Sequence, residues 1–555
     1  MSNSDITVAD YLIFRLKEIG ADHLFGVPGD FVLGFFNQIL KSDLAYVGTC
    51  NELNAAYAAD GYARIRGVGA FSSTYGVGEL SAINGVAGAF AERVPIVVIT
   101  GSPATINFRN RPLLHHTLGD YQIPLRIYEK ITAASTELVS AEMAPAEIDR
   151  VLSVCLSHQL PVYISLPADV VLMKCRYPEA FRFPPDLGSD PDVLEEAINE
   201  ATEMLKNADK PVVIGDVELI RFKLQKQFAD FIDKTGFPYT TMMLGKSVLS
   251  EQHPQFIGLY QGERSRDYVK NRVESADCIL QFGALLTDFN TGGFTAELDE
   301  VKTISVNIRS VRIKHHVYEN VSLHDFILGL TENLARRDSA TLDIQSATDG
   351  CVHRRSEKYF ADGQKPLTIK RFFDRMSHFI EDDAIVVAET GVSLFSAAEL
   401  LMPKGVTFIG QTFYGSIGYS IGATLGAAMA AKARQVVLFV GDGSFQVTGQ
   451  DLSTIIRNHL KPVIFLINND GYTIERVISD HSYNDLQPWK YHKLVEVFGG
   501  GMGFDVHTEA ELEEALATAA TSDQLMFIEI HTGRLDCPES LVSAGQAMAM
   551  TNQLA

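Results

Sequence analysis

Short apolar runs alternate with amphipathic stretches along the whole chain. Apolar runs flanked by turn residues are typical of buried strands, and the amphipathic stretches between them are typical of the helices that connect parallel strands. The pattern predicts an α/β protein with doubly wound parallel sheets. In the first third of the chain it predicts strands at 23–27, 45–49, 69–74, 95–100 and 161–166, and a helix at 8–19.

The strand pattern is interrupted twice, which divides the chain into three predicted domains. Four prolines fall between residues 178 and 191, and residues 335–366 are polar. Neither helices nor central strands tolerate such a density of proline. We therefore predict α/β domains at 1–185, 186–352 and 353–555. Predicted strands follow at 211–216, 238–243, 278–283 and 303–308 in the middle domain and at 384–388, 407–410, 436–440, 462–467 and 525–531 in the third.

Composition and charge exclude several classes of protein. The 555 residues are 46% hydrophobic and 21% charged, which is typical of a globular chain and not of a disordered or fibrous one. A formal net charge of −22 without a basic patch argues against nucleic acid or an anionic membrane as a partner. The six cysteines form no C-x-x-C pair, and the N-terminus offers no uninterrupted apolar core for a signal peptide. We therefore expect a cytoplasmic protein.

One uncharged stretch is long enough to cross a bilayer. Residues 405–431 contain no charged side chain, yet they include six glycines and several polar residues. We therefore predict a buried strand, a glycine-rich loop and a helix of small residues here, and no membrane span.

The segment 436–475 carries the clearest chemical signal. It predicts one βαβ unit in which Asp442 ends the first strand, Gly443 permits a tight turn and Asn469 ends the second strand 27 residues later. Both polar side chains would then lie at the carboxyl ends of adjacent parallel strands, roughly 5 Å apart. With the carbonyl oxygen of Gly471 they could fill half of the octahedral shell of Mg²⁺ and leave positions for phosphate oxygens.

Other interpretations of this region fit less well. GDG and NN are common turn dipeptides, but here strands flank both and a crossover of suitable length joins them. Gly441 and Gly443 begin a dinucleotide-binding G-x-G-x-x-G, but Gln446 replaces the third glycine. The segment 240–247 has the end of a P-loop, with Thr240 in place of the first glycine. Neither nucleotide motif is complete.

Residues 441–471 resemble the diphosphate and Mg²⁺ motif of thiamine-diphosphate enzymes. NELNAAYAADGYAR at 51–64 and GVGELSAINGVAGAFAERVPIVVITG at 76–101 are similar to the pyrimidine-binding domain of that superfamily. LFGVPGD at 24–30 and LLHHTLGD at 113–120 resemble more narrowly the 2-oxo acid decarboxylases, which include pyruvate, indolepyruvate and branched-chain oxo acid decarboxylases. The resemblance covers nearly the whole chain and implies pyrimidine-binding, middle and diphosphate-binding domains.

The resemblance implies an enzyme that uses thiamine diphosphate and Mg²⁺ to convert a small 2-oxo acid into an aldehyde and CO₂. It also implies a homodimer or homotetramer whose active sites lie between the first domain of one subunit and the third domain of another. Two other functions stay open, carboligation as in acetohydroxyacid synthases and a non-catalytic cofactor-binding subunit. The pair of histidines with Asp30 argues against the first, and the intact Glu52 and metal ligands argue against the second.

Five residues have catalytic counterparts in the family. Glu52 corresponds to the glutamate that bonds to a ring nitrogen of the aminopyrimidine and favours its imino tautomer. Asp30, His115 and His116 correspond to a proton-relay group at the substrate end of the cofactor, and Glu475 to an acid beside the substrate carboxylate. The resemblance thus implies a general acid–base site made from two distant parts of the chain.

A larger set of residues corresponds to the cofactor-binding positions of the family. Ile417 matches the large aliphatic residue that holds the cofactor bent, and the carbonyl oxygen of Gly415 matches the acceptor for its exocyclic amino group. Proximity imposed in this way is worth several kcal/mol in intramolecular analogies. The implied set is Glu52, Thr390, Gly415, Ile417, Gly441, Asp442, Gly443, Ser444, Asn469, Gly471, Tyr472 and Ile474.

The predicted substrate pocket departs from the pyruvate decarboxylase pattern. ETGVSLFS at 389–396 resembles ETG-D-S-W-F of some pyruvate decarboxylases, with Val392 and Leu394 in place of the acid and the tryptophan. An isobutyl group in place of an indole vacates space, so we predict a preference for 2-oxo acids larger than pyruvate. The alternative is that Phe289 or Phe395 fills the space. The predicted lining residues are Leu394, Ile474, Ile478 and Phe289.

Overall fold

The computed structural model describes residues 6–176, 188–337, 342, 344–345, 347, 358–363 and 365–553. It contains three large sheets, one in each predicted domain, and helices cover them. The α/β class is therefore confirmed. The two predicted domain boundaries, after residues 185 and 352, lie outside the described residues, and most of the predicted linker at 178–191 does so too.

The N-terminal domain is built on a parallel six-stranded sheet. Its elements are β1 (Ile6–Thr7), α1 (Val8–Glu18), β2 (His23–Gly26), α2 (Leu33–Ile39), β3 (Ala45–Gly48), α3 (Glu52–Arg66), β4 (Gly69–Ser73), α4 (Val77–Ala91), β5 (Ile96–Ser102), α5 (Ile106–Asn110), α6 (Ile123–Tyr128), β6 (Ala134–Glu137), α7 (Ala144–His158), β7 (Val162–Pro167) and β8 (Lys174–Cys175). The strand order is β3-β2-β4-β5-β7-β6, and β1 pairs separately with β8. The apolar pattern located every strand of this sheet except β6, whose sequence ASTE is polar because it lies at the sheet edge.

The middle domain holds a seven-stranded mixed sheet. Its elements are α8 (Pro191–Asn207), β9 (Pro211–Gly215), α9 (Val217–Arg221), α10 (Gln225–Thr235), β10 (Tyr239–Thr241), β11 (Phe256–Leu259), α11 (Asp267–Glu274), β12 (Cys278–Phe282), β13 (Thr303–Asn307), β14 (Ser310–Ile313), β15 (His316–Glu319) and α12 (Leu323–Asn333). The order is β11-β10-β9-β12-β13-β14-β15, in which β14 and β15 are antiparallel. The strands from β11 to β13 are parallel, and β14 and β15 add an antiparallel edge, which short turns can join without a helical crossover. The pattern did not predict β11, β14 or β15.

The C-terminal domain again has a parallel six-stranded sheet. Its elements are α13 (Ile369–Phe379), β16 (Ile385–Ala388), α14 (Val392–Ala398), β17 (Thr407–Ile409), α15 (Tyr419–Ala430), β18 (Val436–Gly441), α16 (Asp442–Thr448), α17 (Leu452–Arg457), β19 (Val463–Asn468), α18 (Thr473–Ile478), α19 (Leu494–Val497), β20 (Met502–Val506), α20 (Glu509–Ala519), β21 (Met526–His531) and α21 (Glu539–Thr551). The order is β17-β16-β18-β19-β21-β20, and the pattern missed only the edge strand β20.

The uncharged stretch 405–431 forms β17, a loop and the buried helix α15, as predicted. Helix α15 packs against α3 of the N-terminal domain, which explains its small residues. A side chain at Gly61, Gly422 or Gly426 would collide with the backbone of the facing helix. No helix in the described part of the chain combines the length and the hydropathy that crossing a bilayer would require.

A buried carboxyl near this helix pair makes stability depend on pH. Glu79 accepts hydrogen bonds from the backbone N–H of Gly76 at 2.7 Å and from the hydroxyl of Tyr163 at 2.6 Å. Burial raises the pKa of Glu79 to about 7. The folded state therefore retains a proton that the unfolded state loses above about pH 4.5, so the free energy of unfolding falls as pH rises from there to about 7.

We expect Glu79→Gln to remove this pH dependence, since a glutamine amide can still bond to both neighbours. Urea denaturation of both proteins between pH 5 and pH 8 measures it. The difference in unfolding free energy between wild type and variant should change by up to about 1.4 kcal/mol per pH unit. Parallel profiles would mean that Glu79 binds the same number of protons in both states.

Candidate active site

The carboxyl ends of three adjacent strands, β16, β18 and β19, form the centre of the site. Asp442 directly follows β18, and Asn469 directly follows β19. These two strands pair in parallel, with Gly441 beside Ile467. Asp442 and Asn469 therefore lie next to each other at the carboxyl end of the sheet. The Asp442 carboxylate accepts hydrogen bonds from the N–H groups of Gly443 at 2.7 Å and Gly471 at 3.1 Å.

Two details of the predicted turn differ from the sequence interpretation. The strand ends at Gly441, and Asp442 begins helix α16 instead of ending the strand. Gly443 lies inside that helix, and its backbone needs no unusual conformation. A side chain at Gly443 would instead collide with the ring of Tyr472, so glycine is required there for close packing against the loop at residues 469–472, which we call the metal loop.

The residues at this edge fit a cation and a phosphate group. Asp442 is only 2% exposed, and burial raises its pKa to about 7. The side-chain oxygen of Asn469 is buried without a hydrogen-bond partner, while its amide nitrogen donates to Thr473 at 2.8 Å. A buried carboxylate and an unpartnered amide oxygen are costly unless a ligand satisfies them, and both are suitable ligands for Mg²⁺. A Cβ atom at Gly441 would meet no atom within 4 Å, so there is room for a phosphate group to approach.

Helix α18 follows the metal loop directly and presents three predicted residues. Glu475 is exposed, and Ile474 and Ile478 are partly exposed. Arg476 on the same helix is buried and donates to the carbonyl oxygen of Asp470 and to the carboxylate of Asp485, both at 2.7 Å. Arg476 therefore supports the loop from behind. The sequence alone did not indicate Arg476, because an arginine in a helix is usually an ordinary surface residue.

The loop that carries Gly415 and Ile417 is attached to the N-terminal domain of the same chain. Ser416 shares hydrogen bonds of 2.7 Å with the Tyr57 hydroxyl and with Asn84, and Asn84 also accepts from the Tyr414 hydroxyl at 3.1 Å. Ile417 is 36% exposed on this loop. Ser416, Tyr57 and Asn84 lie within or beside the matched motifs, but their contacts join residues about 330 positions apart and were not predictable.

Glu52 lies at the first position of helix α3, where the side chain of Asn51 caps the helix. Its carboxyl is half-buried, and burial raises its pKa. A Cβ atom placed on Gly78 would lie 2.9 Å from the Glu52 Oε1 atom, so this carboxyl rests over a glycine of the GVGE turn. Among the described residues its carboxyl has no hydrogen-bond donor except its own backbone N–H. It is therefore free to bond to a ligand.

Asp30, His115 and His116 come together at the surface of the N-terminal domain. The Nε2 atom of His115 lies 2.7 Å from a carboxylate oxygen of Asp30, and Phe31 stacks on the His115 ring. The His116 ring stands almost perpendicular to that of His115, at 4.6 Å between centroids. His116 has a positive φ of 68°, and its Nδ1 atom is buried without a partner. Backbone strain with an unsatisfied nitrogen is characteristic of a functional position.

The residues on either side of Glu52 contact the C-terminal domain of the same chain: the Cys50 N–H donates to Asp451, and the Asn54 amide donates to the carbonyl oxygen of Thr448. In the part of the chain that the structure describes, no hydrogen bond or ion pair joins Glu52 or the Asp30–His115 pair to the loop that holds Asp442 and Asn469. The Asp30–His115 pair is accessible from outside, since both side chains are more than half exposed, whereas Asp442 and Asn469 are buried.

The predicted substrate-lining residues gather around one hydrophobic cluster. Leu394 lies on α14 inside the core of the C-terminal domain and has no exposed surface. Phe289 of the middle domain and Ile474 pack against the same core, and the Phe289 and Phe395 rings lie 6.3 Å apart. Ile478 is not among the side chains of that cluster. Thr390, at the start of the same segment, is partly buried, and Ser444 and Gly471 are buried beside the metal loop.

Comparison with known proteins identifies relatives of the whole chain. Residues 6–121, 198–330 and 389–530 match the N-terminal TPP binding, central and C-terminal TPP binding domains of the thiamine pyrophosphate enzymes. Thiamine pyrophosphate (TPP) is another name for thiamine diphosphate. The chain is 38% identical to a pyruvate decarboxylase of Aspergillus fumigatus over 99% of its length and 98% of the relative. It is 37% identical to pyruvate decarboxylase isozyme 3 of Saccharomyces cerevisiae, covering 99% of each chain. It is also 38% identical to an alpha-keto-acid decarboxylase of Mycolicibacterium paratuberculosis, over 97% of this chain and 95% of that one.

Proposed function

Because the chain belongs to the thiamine-diphosphate-dependent 2-oxo acid decarboxylases, we propose that it converts 2-oxo acids larger than pyruvate into aldehydes and CO₂, with Mg²⁺ as the anchor of the cofactor. The observation that supports the metal anchor is the unpartnered, buried oxygen of Asn469 next to the buried carboxylate of Asp442. Leucine at position 394 supports the substrate size.

The metal loop would bind the diphosphate end of the cofactor. Asp442, Asn469 and the carbonyl oxygen of Gly471 would coordinate Mg²⁺, and the open space at Gly441 would accommodate phosphate oxygens. When bound, thiamine diphosphate supplies a carbon nucleophile for the 2-oxo group and an electron sink for decarboxylation. The chain contributes binding, orientation and proton transfer.

Glu52 would hold a proton toward the pyrimidine ring of the cofactor. Its half-buried carboxyl has the raised pKa that such a task requires, and a bound ring nitrogen would give it the partner that it lacks. Ile417 and the carbonyl oxygen of Gly415, on the loop attached by Ser416, would hold the cofactor in its bent shape.

The substrate end would use the Asp30, His115 and His116 group. The 2.7 Å contact orients the His115 ring, so that one nitrogen faces Asp30 and the other can exchange a proton with substrate. Glu475, exposed on α18, would face the substrate carboxylate from the side of the metal loop. Together these residues would deliver the proton that completes the aldehyde.

The complete site would require a second subunit. Within one chain no hydrogen bond or ion pair of the described residues joins Glu52, Asp30 or His115 to Asp442 or Asn469, and the side chains of Asp30 and His115 are more than half exposed. The loop between them exposes large apolar residues, Phe413, Tyr414 and Ile417, as an interface would require. We therefore propose a homodimer or homotetramer with active sites between subunits. The domain division at 185 and 352 stays a prediction. A cytoplasmic location also stays a prediction, and the five described cysteines are free thiols.

The substrate-size proposal rests on Leu394. A longer substrate chain would lie against Phe289 and Ile474, which are partly exposed and pack on the same core as the buried Leu394. Each methylene buried there adds up to about 0.8 kcal/mol. We expect the wild type to prefer 2-oxohexanoate to pyruvate in kcat/KM, by up to about fourfold per methylene. Leu394→Trp should reverse much of this preference, because the indole would occupy the space of the substrate chain.

The matched control is Leu394→Met, which conserves volume and should keep the preference of the wild type. Melting temperatures of all three proteins identify general damage to the core, since overpacking costs about 1–3 kcal/mol. A wild type that prefers pyruvate, or a tryptophan variant with an undiminished preference for the longer acid, would mean that Leu394 does not limit substrate size.

Incubation of the protein with a 2-oxo acid, thiamine diphosphate and Mg²⁺ tests the reaction itself. We expect aldehyde as the main product. Acyloin or an acetohydroxy acid as the main product would indicate carboligation, and the absence of turnover with a bound cofactor would indicate a non-catalytic subunit.

A further inference from the structure

A cluster of histidines and carboxylates lies at the edge of the C-terminal sheet, outside the site described above. Strands β20 and β21 pair in parallel register, with Asp505 beside Glu529. Each acid is followed two residues later by a histidine, in the sequences Asp505-Val-His507 and Glu529-Ile-His531. Because residues two apart lie on the same face of a strand, the register brings His507 beside His531.

The side chains of this cluster converge on one atom. The Asp505 Oδ1 atom lies 2.7 Å from the Nε2 atom of His531 and 3.3 Å from the Nε2 atom of His507. The two imidazole rings stack face to face, with centroids 4.0 Å apart and planes 8° apart. All three ligand atoms lie within 4.8 Å of one another. Two imidazole nitrogens and a carboxylate oxygen at one point form a typical ligand set for a transition metal.

A second layer of buried residues supports this arrangement. Glu529 is 2% exposed, and its carboxylate accepts hydrogen bonds from the backbone and ring nitrogens of His492 and from the side chain of Asn468. Its oxygens are therefore already satisfied. The outer triad of Asp505, His507 and His531 is partly exposed and keeps its ligand atoms accessible.

We propose that Asp505, His507 and His531 bind a divalent transition metal of the zinc class, which connects the edge strand β20 to β21. Ligand atoms of a tetrahedral zinc at about 2.0–2.1 Å lie roughly 3.3 Å from one another. The separations of the Asp505 Oδ1 atom from the two Nε2 atoms, 2.7 and 3.3 Å, are close to that value. The two imidazole rings would have to turn out of their parallel stack so that both Nε2 lone pairs point to the metal. Three protein ligands leave a fourth position for water. The metal would fasten β20, which ends the sheet and pairs only with β21.

Equilibrium dialysis of the full-length protein tests the proposal. Wild type, His507→Ala and His531→Ala are freed of metal with a chelator, then dialysed against micromolar zinc chloride with excess Mg²⁺ and thiamine diphosphate. Bound zinc is measured by elemental analysis. We expect the wild type to retain one more zinc ion per chain than either variant. Zinc should also raise the melting temperature of the wild type and leave that of His507→Ala unchanged.

The control variant is His316→Ala. His316 is an exposed histidine paired with Glu200 at 2.9 Å, and it belongs to none of the ligand-type triads found among the described residues. This variant should therefore bind as much zinc as the wild type. Asp30, His115 and His116 form another group that could hold a metal ion. The test therefore compares the amount of bound zinc between the wild type and each variant. Equal zinc in wild type, His507→Ala and His531→Ala would overturn the proposal and leave the cluster as a hydrogen-bonded network. Circular dichroism verifies that His507→Ala, a substitution of an exposed side chain, is folded.

Discussion

Replacing Glu52 by glutamine is expected to lower the turnover number by about 10²–10⁴-fold while the cofactor stays bound. Glutamine keeps the shape of the side chain above Gly78, but it has no acidic proton to hold toward the pyrimidine ring. The step that should slow is proton removal from the thiazolium carbon of the cofactor. Deuterium exchange at that carbon, measured beside steady-state turnover, therefore identifies the lost step.

Glu137→Gln is the matched control for this prediction. Glu137 is also a partly buried glutamate of the N-terminal domain whose pKa is raised by burial, but it lies on the edge strand β6 and bonds to Gln122. We expect its turnover to equal that of the wild type. Deuterium exchange at the wild-type rate in Glu52→Gln would refute the role of Glu52.

Asp442→Ala is expected to weaken the binding of thiamine diphosphate by at least about a hundredfold, equal to roughly 2.8 kcal/mol. The variant removes the charged ligand of the proposed Mg²⁺ site and leaves the oxygen of Asn469 still unsatisfied. Calorimetric titration with thiamine diphosphate at fixed Mg²⁺ measures the affinity. The fold should persist, because burial of the Asp442 carboxylate is unfavourable and the substitution removes that buried charge.

Asp470→Asn provides the control for the charge of the loop. Asp470 is an exposed neighbour in the same loop, with a positive φ of 57° that asparagine tolerates. It should bind the cofactor as tightly as the wild type. Unchanged affinity in Asp442→Ala, or an equal loss in Asp470→Asn, would mean that Asp442 is not the metal ligand.

The variants Glu52→Gln and Asp442→Ala together test whether the active site lies between subunits. If Glu52 and Asp442 of one site come from different chains, a heterodimer of Glu52→Gln and Asp442→Ala contains one intact site. Mixing equal amounts under conditions of subunit exchange should restore about a quarter of the wild-type activity. No recovery, despite proven exchange, would place both residues of each site in one chain.

The local pattern of the sequence determined much of the fold and one half of the site. Buried strands such as β18 and β19 are continuous apolar runs, so their positions and the βαβ unit between them were readable. The carboxyl ends of adjacent parallel strands lie at the same end of the sheet, so the proximity of Asp442 and Asn469 was predictable from the sequence. The pattern missed the short strand β11 and the strands β6, β14, β15 and β20, whose sequences ASTE, SVRI, HVYE and MGFDV mix polar and apolar residues.

Only the tertiary structure decided which distant residues touch and which buried atoms lack partners. The unpartnered oxygen of Asn469, the Glu52 carboxyl above Gly78 and the burial of Leu394 in the core depend on how remote segments pack within the C-terminal and N-terminal domains. The facing histidines 507 and 531 likewise depend on the pairing of β20 with β21. Strand register and domain packing result from many weak contacts between remote positions, and no local window of sequence contains them.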